Sequence, residues 1–327
     1  VRNFEECWEG IAVRKLLGFG WIVAALVLLA PSSPARAGAL LGGVGVLGDS
    51  YSDEYQFYPP DRTTARNWVE ILATTRGLDF GPLSAVGRGE PRNQGYAYNW
   101  ARSDATTADL IAAGQHTGLA AQVARGEVNL VFVFIGGNDF INALKSPDPA
   151  RALDETLPRA LSNYRVAVET ILAARPGVKL VLATLPDIRN LPEFDAPIRE
   201  GRLPRALADA YTAGMGRFNA QIRSMAAGQA RVALADLDLV IRVANFVSLD
   251  YAVVGGRRLD RLHPANRPDC FFLADVRHLG TLGQGMMASL FVDAINAKFG
   301  AGIDPLTPRE VEEFARSLPA PALRDPD

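Results

Sequence analysis

Val44-Gly45-Val46-Leu47-Gly48-Asp49-Ser50 is the stretch on which the reading of this chain turns. A short apolar run reads as a β-strand, and Gly-Asp-Ser ends it. The serine hydroxyl is thereby set at the carboxyl end of a first strand, where open α/β sheets build their sites. Two later segments have the same grammar. Gly136-Gly137-Asn138-Asp139 follows the strand-like run Leu130 to Ile135. Asp275-Val276-Arg277-His278 follows the apolar run Cys270 to Ala274, read here as a buried strand, and precedes a final helix. Together these segments supply a hydroxyl, an amide and an acid–base pair.

Working outward, strands and helices alternate. Strands are expected at Val44–Leu47, Val128–Ile135, Val178–Thr184 and Arg231–Ala235, most of them apolar enough for burial on both faces. Helical spacing marks Asn67–Thr75 (stopped by Gly77), Leu157–Ala174, Leu207–Ala227 and Gly280–Phe299. Repeated βα alternation predicts a parallel sheet covered on both faces. The polar, proline-bearing stretches Ile188–Leu203 and Val253–Asp269 read as long loops near a site. One domain covers 40–302. Residues 303–327 form a C-terminal tail with a short helix at Pro308–Ser317 and a proline-rich end.

The 327 residues carry a formal charge of −2, with no basic block and no basic patch interleaved with aromatics, so no nucleic-acid partner is expected. Arg14-Lys15, the apolar stretch Leu16–Ala30 and Ala35-Arg36-Ala37 follow the order of a secretory signal peptide. Residues 1–37 are therefore expected to be removed, leaving a secreted or periplasmic protein without a stable membrane span. Val1–Ala12 is unlike an n-region, and a start at Val13 gives a more typical leader. Of two cysteines, Cys7 falls in or before that leader. Cys270 then stands alone and reads as a small buried hydrophobe.

A serine hydroxyl attacks only when a base takes its proton, and histidine is the usual base near neutral pH. There are three histidines. His278 follows Asp275 by three residues, a spacing at which the carboxylate can orient the ring. His263 has the same spacing from Asp260, but no strand enters its segment and no helix leaves. His116, between Gly114 and Gly118, reads as a surface residue in a polar turn. Asp49 and Asp139 read as braces for their turns. No His, Cys, Asp or Glu grouping has metal-ligand spacing, and Gly42-Gly43 precedes its strand rather than following it, so no cofactor is expected.

Taken in order, the pieces resemble the SGNH/GDSL hydrolases, a family of esterases and lipases. They are Gly48-Asp49-Ser50, then Asn99-Trp100-Ala101-Arg102-Ser103-Asp104-Ala105-Thr106-Thr107, then Gly136-Gly137-Asn138-Asp139, then Asp275-Val276-Arg277-His278. The resemblance spans Gly48 to about Ala297 and implies a three-layer α/β/α sandwich of flavodoxin-like kind. It implies Ser50 as nucleophile, His278 as base and Asp275 as its orienting carboxylate, with an oxyanion hole from Ser50, Asp104 and Asn138. Two positions depart from the pattern. Asp104 stands where the family has glycine, and Leu279 where it usually has proline. The implied function is hydrolysis of a small-molecule, lipid or carbohydrate ester through an acyl-enzyme. Two other readings stay open: a weak or silent relative that binds carbohydrate or lipid, favoured by Asp104, and an acyltransferase or thioesterase using the same triad. Tyr51, Tyr55, Phe57 and Tyr58 either line a pocket or pack.

Overall fold

Six consecutive buried residues, Gly43–Gly48, form strand β1. Glycine at its end gives close packing, because a Cβ on Gly48 would lie 3.0 Å from both Phe134 O and Ser52 Cβ. The computed structural model describes residues 41–57, 62–85, 94–187, 189, 191–247, 251–254 and 257–319. The expected leader, Tyr58 and the end of the tail lie outside them. After β1 come α1 (Trp68–Arg76), β2 (Leu83–Ser84), β3 (Gly95–Tyr96), α2 (Thr107–Ala112), α3 (Gln115–Ala124), β4 (Val128–Phe134), α4 (Gly137–Leu144) and α5 (Pro149–Ala174). Then follow β5 (Lys179–Ala183), α6 (Pro192–Arg199), α7 (Arg205–Ala226), β6 (Val232–Ala235), α8 (Leu237–Val247), β7 (Tyr251–Val254), β8 (Arg257–Asp260), α9 (Thr281–Phe299) and α10 (Pro308–Ser317).

Strands β1, β4, β5 and β6 pair in parallel, in the order β1-β4-β5-β6. Helices cover both faces of this sheet, giving the three-layer α/β/α sandwich of the SGNH hydrolases. In a parallel sheet all carboxyl ends share one edge. Gly48 pairs with Phe134, so Asp49-Ser50 and Gly136-Gly137-Asn138 leave the sheet side by side. The outer side of β1 is closed by irregular chain. Val44 N–H donates to Asp79 O, Val46 N–H to Tyr98 O, and Trp100 N–H to Val46 O.

Local chemistry sets the helix ends. Asn67 caps α1 in a reciprocal capping box with Glu70, and Gly77 closes it at φ 60°. Beneath the site, Trp68 is fully buried, with Phe132 and Phe291 rings at 4.7 and 4.6 Å. Its backbone N–H donates to Gln284 on α9, and its indole Nε1–H donates to Ser52 at 3.1 Å. The segment carrying Ser50 is thus tied to α1 and α9.

Several expectations need correction. Cys270–Ala274 is not a strand. Its backbone is satisfied by the chain folding back on itself: Leu273 N–H donates to His278 O and Gly280 N–H to Phe271 O, both at 2.8 Å. His116 is buried on α3, not on the surface. The neighbouring Gly118 serves close packing, because a Cβ there would fall 2.1 Å from the Trp100 ring. Helix α5 begins at Pro149, capped by Asp148, and accommodates Pro158 on its exposed side. Expected loops contain α6 and the β7–β8 hairpin. Helix α10 forms where predicted, yet the segment leading to it is not a loose tail. Ile303, Leu306, Val311 and Ala315 are buried in the same core as α9.

Candidate active site

At the carboxyl edge, Ser50 Oγ lies 2.6 Å from His278 Nε2. On the far side of the ring, Asp275 Oδ2 lies 2.7 Å from Nδ1, and Asp275 Oδ1 accepts the His278 N–H at 2.9 Å. Ser50 and His278 are buried. The acid–base loop is held from several directions. Tyr51 OH donates to Arg277 O at 2.8 Å, and its ring packs 5.3 Å from the His278 ring. Tyr55 meets the same imidazole edge-on and is core, its hydroxyl accepting from Gln284. Glu193 on α6 accepts two hydrogen bonds from the Arg277 guanidinium, and its backbone N–H donates to Val276 O. Val276 itself sits at φ 59°. That conformation is a genuine outlier for a β-branched residue, and such strain persists only where the surroundings over-determine it.

The electrostatics favour a neutral imidazole beside a charged carboxylate. Burial lowers the His278 pKa and the Asp275 hydrogen bond raises it, while the cations Arg62 and Arg277 lower it further; the net shift is downward. Burial pushes Asp275 up, but the hydrogen bond and charge of His278, with Arg62, hold it well below the usual carboxylate range. Asp49 behaves oppositely. Burial, with Asp139 and Asp104 nearby, pushes its carboxyl up to about 7. Its Oδ1 accepts from Tyr51 N–H, and the Asp139 carboxylate takes both the N–H and the hydroxyl of Thr107. Asp49 thus braces its own turn as expected, whereas Asp139 ties the start of α4 to the start of α2.

Asn138 lies in the first turn of α4, whose amide dipoles point toward this edge. It lines a slot of about 40 Å³ together with Ser50, Tyr51, Leu191 and Tyr211. Its Nδ2 donates to Ala105 O at 3.1 Å, which fixes the amide beside the Asp104 segment. Asp104 is exposed at φ 63°, the left-handed conformation for which glycine is the natural residue. His263 is exposed and paired with Asp260. Among the described residues no group of three or more His, Cys, Asp and Glu is arranged to hold a metal ion.

Two groups were not visible in the sequence. Arg62 Nη2 donates to Asp275 Oδ2 at 2.6 Å and lies 2.7 Å from His278 Nδ1, while its guanidinium covers the Tyr55 ring. Tyr211 is fully buried in the slot wall, and its hydroxyl has no hydrogen-bond partner among the described residues. Nothing in the surrounding sequence distinguishes either.

No curated protein matches the chain. Among solved structures, it is similar to the family 3 carbohydrate esterase of Clostridium thermocellum (17% identity, 80% of this chain and 98% of that one, TM-score 0.41). It is also similar to a lipase from a goat rumen metagenome (15%, 80% and 98%, TM-score 0.46) and to phospholipase A1 of Streptomyces albidoflavus (15%, 79% and 99%, TM-score 0.46). The model of the GDSL-like Lipase/Acylhydrolase family matches residues 44–291, from the first sheet strand into α9 and across every segment that meets at this edge. The chain belongs to that family.

Proposed function

We propose that this protein hydrolyses carboxylic esters, with Ser50 as nucleophile, His278 as general base and Asp275 as the carboxylate that orients it. The observation carrying the reading is the unbroken contact from Ser50 Oγ through the imidazole to Asp275, at 2.6 and 2.7 Å. With Nδ1–H donated to Asp275, Nε2 is left to accept the Ser50 proton as Oγ attacks the ester carbonyl. The imidazolium then returns that proton to the leaving alkoxide, and the acyl-enzyme is opened by a water activated in the same way. Negative charge on the carbonyl oxygen is taken by the N–H of Ser50, the N–H of Asp104 and the amide of Asn138. Loss of one such donor typically costs about 3–4 kcal/mol of transition-state stabilisation. Asp104 supplies its N–H in the conformation glycine would adopt, but brings a carboxylate to the approach. A silent binding protein is the reading that carboxylate favours.

Hydrolysis of p-nitrophenyl acetate, butyrate and palmitate by the mature chain, beside Ser50→Ala and His278→Ala, tests the assignment. Both variants should fall to background. A fluorophosphonate should label Ser50 and no other residue; no labelling of folded protein would leave the silent reading. Acceptor alcohols added during turnover should not divert the acyl group, since diversion would make the protein a transferase. The leader motif supports export, with cleavage after Ala37. A mature N-terminus at Gly38 in the exported fraction is the expected result.

A further inference from the structure

Beside the Ser50 slot lies a second cavity of about 220 Å³. Its walls include Val240 and Ile241 of α8, Ala252 of β7, and Met286 and Leu290 of α9. Tyr51, Pro186 and Leu191 border both spaces, so this cavity and the slot at the serine share a wall. Two charged residues touch it. The Asp187 carboxylate accepts from Arg189 and Thr212, and the Arg261 guanidinium lies over the rings of Phe271 and Phe272. Both are engaged with the protein. Val240 and Val253 line the cavity and are also exposed, which gives it an apolar mouth.

Protein interiors leave few voids larger than a water molecule. An apolar cavity of about 150 Å³ stays dry and takes up benzene. On that scale the present cavity holds on the order of nine carbon atoms. We infer that it receives the acyl chain of the substrate, making this protein selective for medium-chain acyl esters of roughly eight to twelve carbons. This inference rests on the serine-ester reading above. The carbonyl sits at Ser50, the first carbons fill the slot, and the remainder passes Tyr51 and Leu191 into the cavity. The slot alone admits little beyond a short acyl group.

The test is kcat/KM over a p-nitrophenyl acyl series from two to sixteen carbons and over a parallel series of alkyl acetates. The parent should prefer eight to twelve carbons in the acyl series and show no preference in the acetates. Val240→Trp and Ala252→Phe, each checked for a parent-like circular dichroism spectrum and melting temperature, fill the cavity from two different elements. Either should lower the decanoate-to-acetate ratio at least tenfold. An unchanged ratio in a folded variant would overturn the inference, as would a chain-length preference confined to the alkyl acetates. A separate readout avoids turnover altogether: 11-(dansylamino)undecanoic acid should bind Ser50→Ala, be displaced by decanoate but not acetate, and bind at least tenfold more weakly once Val240→Trp is added. If the parent hydrolyses no ester while this binding holds, the catalytic reading fails and the cavity assignment stands. If esters are cleaved without binding or chain-length preference, the reverse is true.

Discussion

Replacing Arg62 with methionine gives the sharpest test of how the base is tuned. The Arg62 guanidinium lies 2.6 Å from Asp275 Oδ2 and 2.7 Å from His278 Nδ1. A protonated His278 therefore meets a second cation at contact range. Two unit charges about 4 Å apart repel by roughly 4 kcal/mol at an effective dielectric of 20 and roughly 1 kcal/mol in water. The Arg62 and Asp275 side chains are 15% and 34% exposed, so the cluster is partly solvated and the lower end of that range applies. About 1.4 kcal/mol is one pH unit on His278. Methionine keeps an apolar chain against Tyr55 and removes the charge. Asp275, relieved of one cation, pulls the imidazole pKa in the same upward direction, while Arg277 stays in place. Because His278 must be neutral to accept the Ser50 proton, the acid limb of kcat/KM should move up by about one pH unit. Turnover should fall about tenfold below that limb and match the parent on the alkaline plateau. The assay is kcat/KM for a p-nitrophenyl ester from pH 4.5 to 9. A limb that stays put or moves down refutes the electrostatic argument, and a uniform loss at every pH would assign Arg62 a role in loop geometry alone.

Asp104→Gly removes a carboxylate from the oxyanion approach and relieves a left-handed backbone costing about 1 kcal/mol; ester turnover and melting temperature should both rise, and an unchanged rate would place the carboxylate away from the developing charge. Val276→Gly should stabilise by about 1 kcal/mol in thermal denaturation, since the side chain is partly exposed and its φ of 59° is unfavourable for valine; a lower melting temperature would show that the valine packing outweighs the strain. For Asp49 the folded pKa of about 7 stands well above the ordinary carboxylate value of 3.8. The contribution is therefore fully present below about pH 4 and is lost as pH rises through 7. Asp49→Asn should be near-neutral at pH 4 and more stable than the parent by about 4 kcal/mol at pH 8.5 in urea melts, whereas an equal difference at both values would mean the carboxyl titrates normally.

The sheet was readable because β1, β4, β5 and β6 are short, nearly continuous apolar runs, the pattern that burial on both faces demands. Three kinds of element were not. Helices α2 and α3 hide behind glycines that look like turn residues; Gly114 is one, at φ 66°, whereas Gly118 lies within α3 and lets it approach Trp100. Helix α6 starts on a proline and has one inside it. The run Phe271–Leu273 is as apolar as a strand but pairs with its own continuation, a choice made by the packing of α9 that no local pattern reveals. At the site, Ser50, Asn138, Asp275 and His278 stood out because each adjoins a predicted strand end or helix start. Arg62 and Tyr211 did not, because their significance lies in what tertiary closure brings beside them. The same holds for the Glu193–Arg277 clamp, whose partners lie 84 residues apart.

Ser50 and His278 meet although they stand 228 positions apart in sequence. During synthesis the hydroxyl emerges almost at once, while its base follows only after the whole sheet. On the proposed ester-hydrolase reading, a nascent chain would be inert toward esters until its last fifth arrives and α9 docks on Trp68. Contacts of such long range are also slow to form. Were the chain exported unfolded, as proposed from its leader, this delay would act as a safeguard: the pair would be assembled at the destination rather than in the compartment of synthesis.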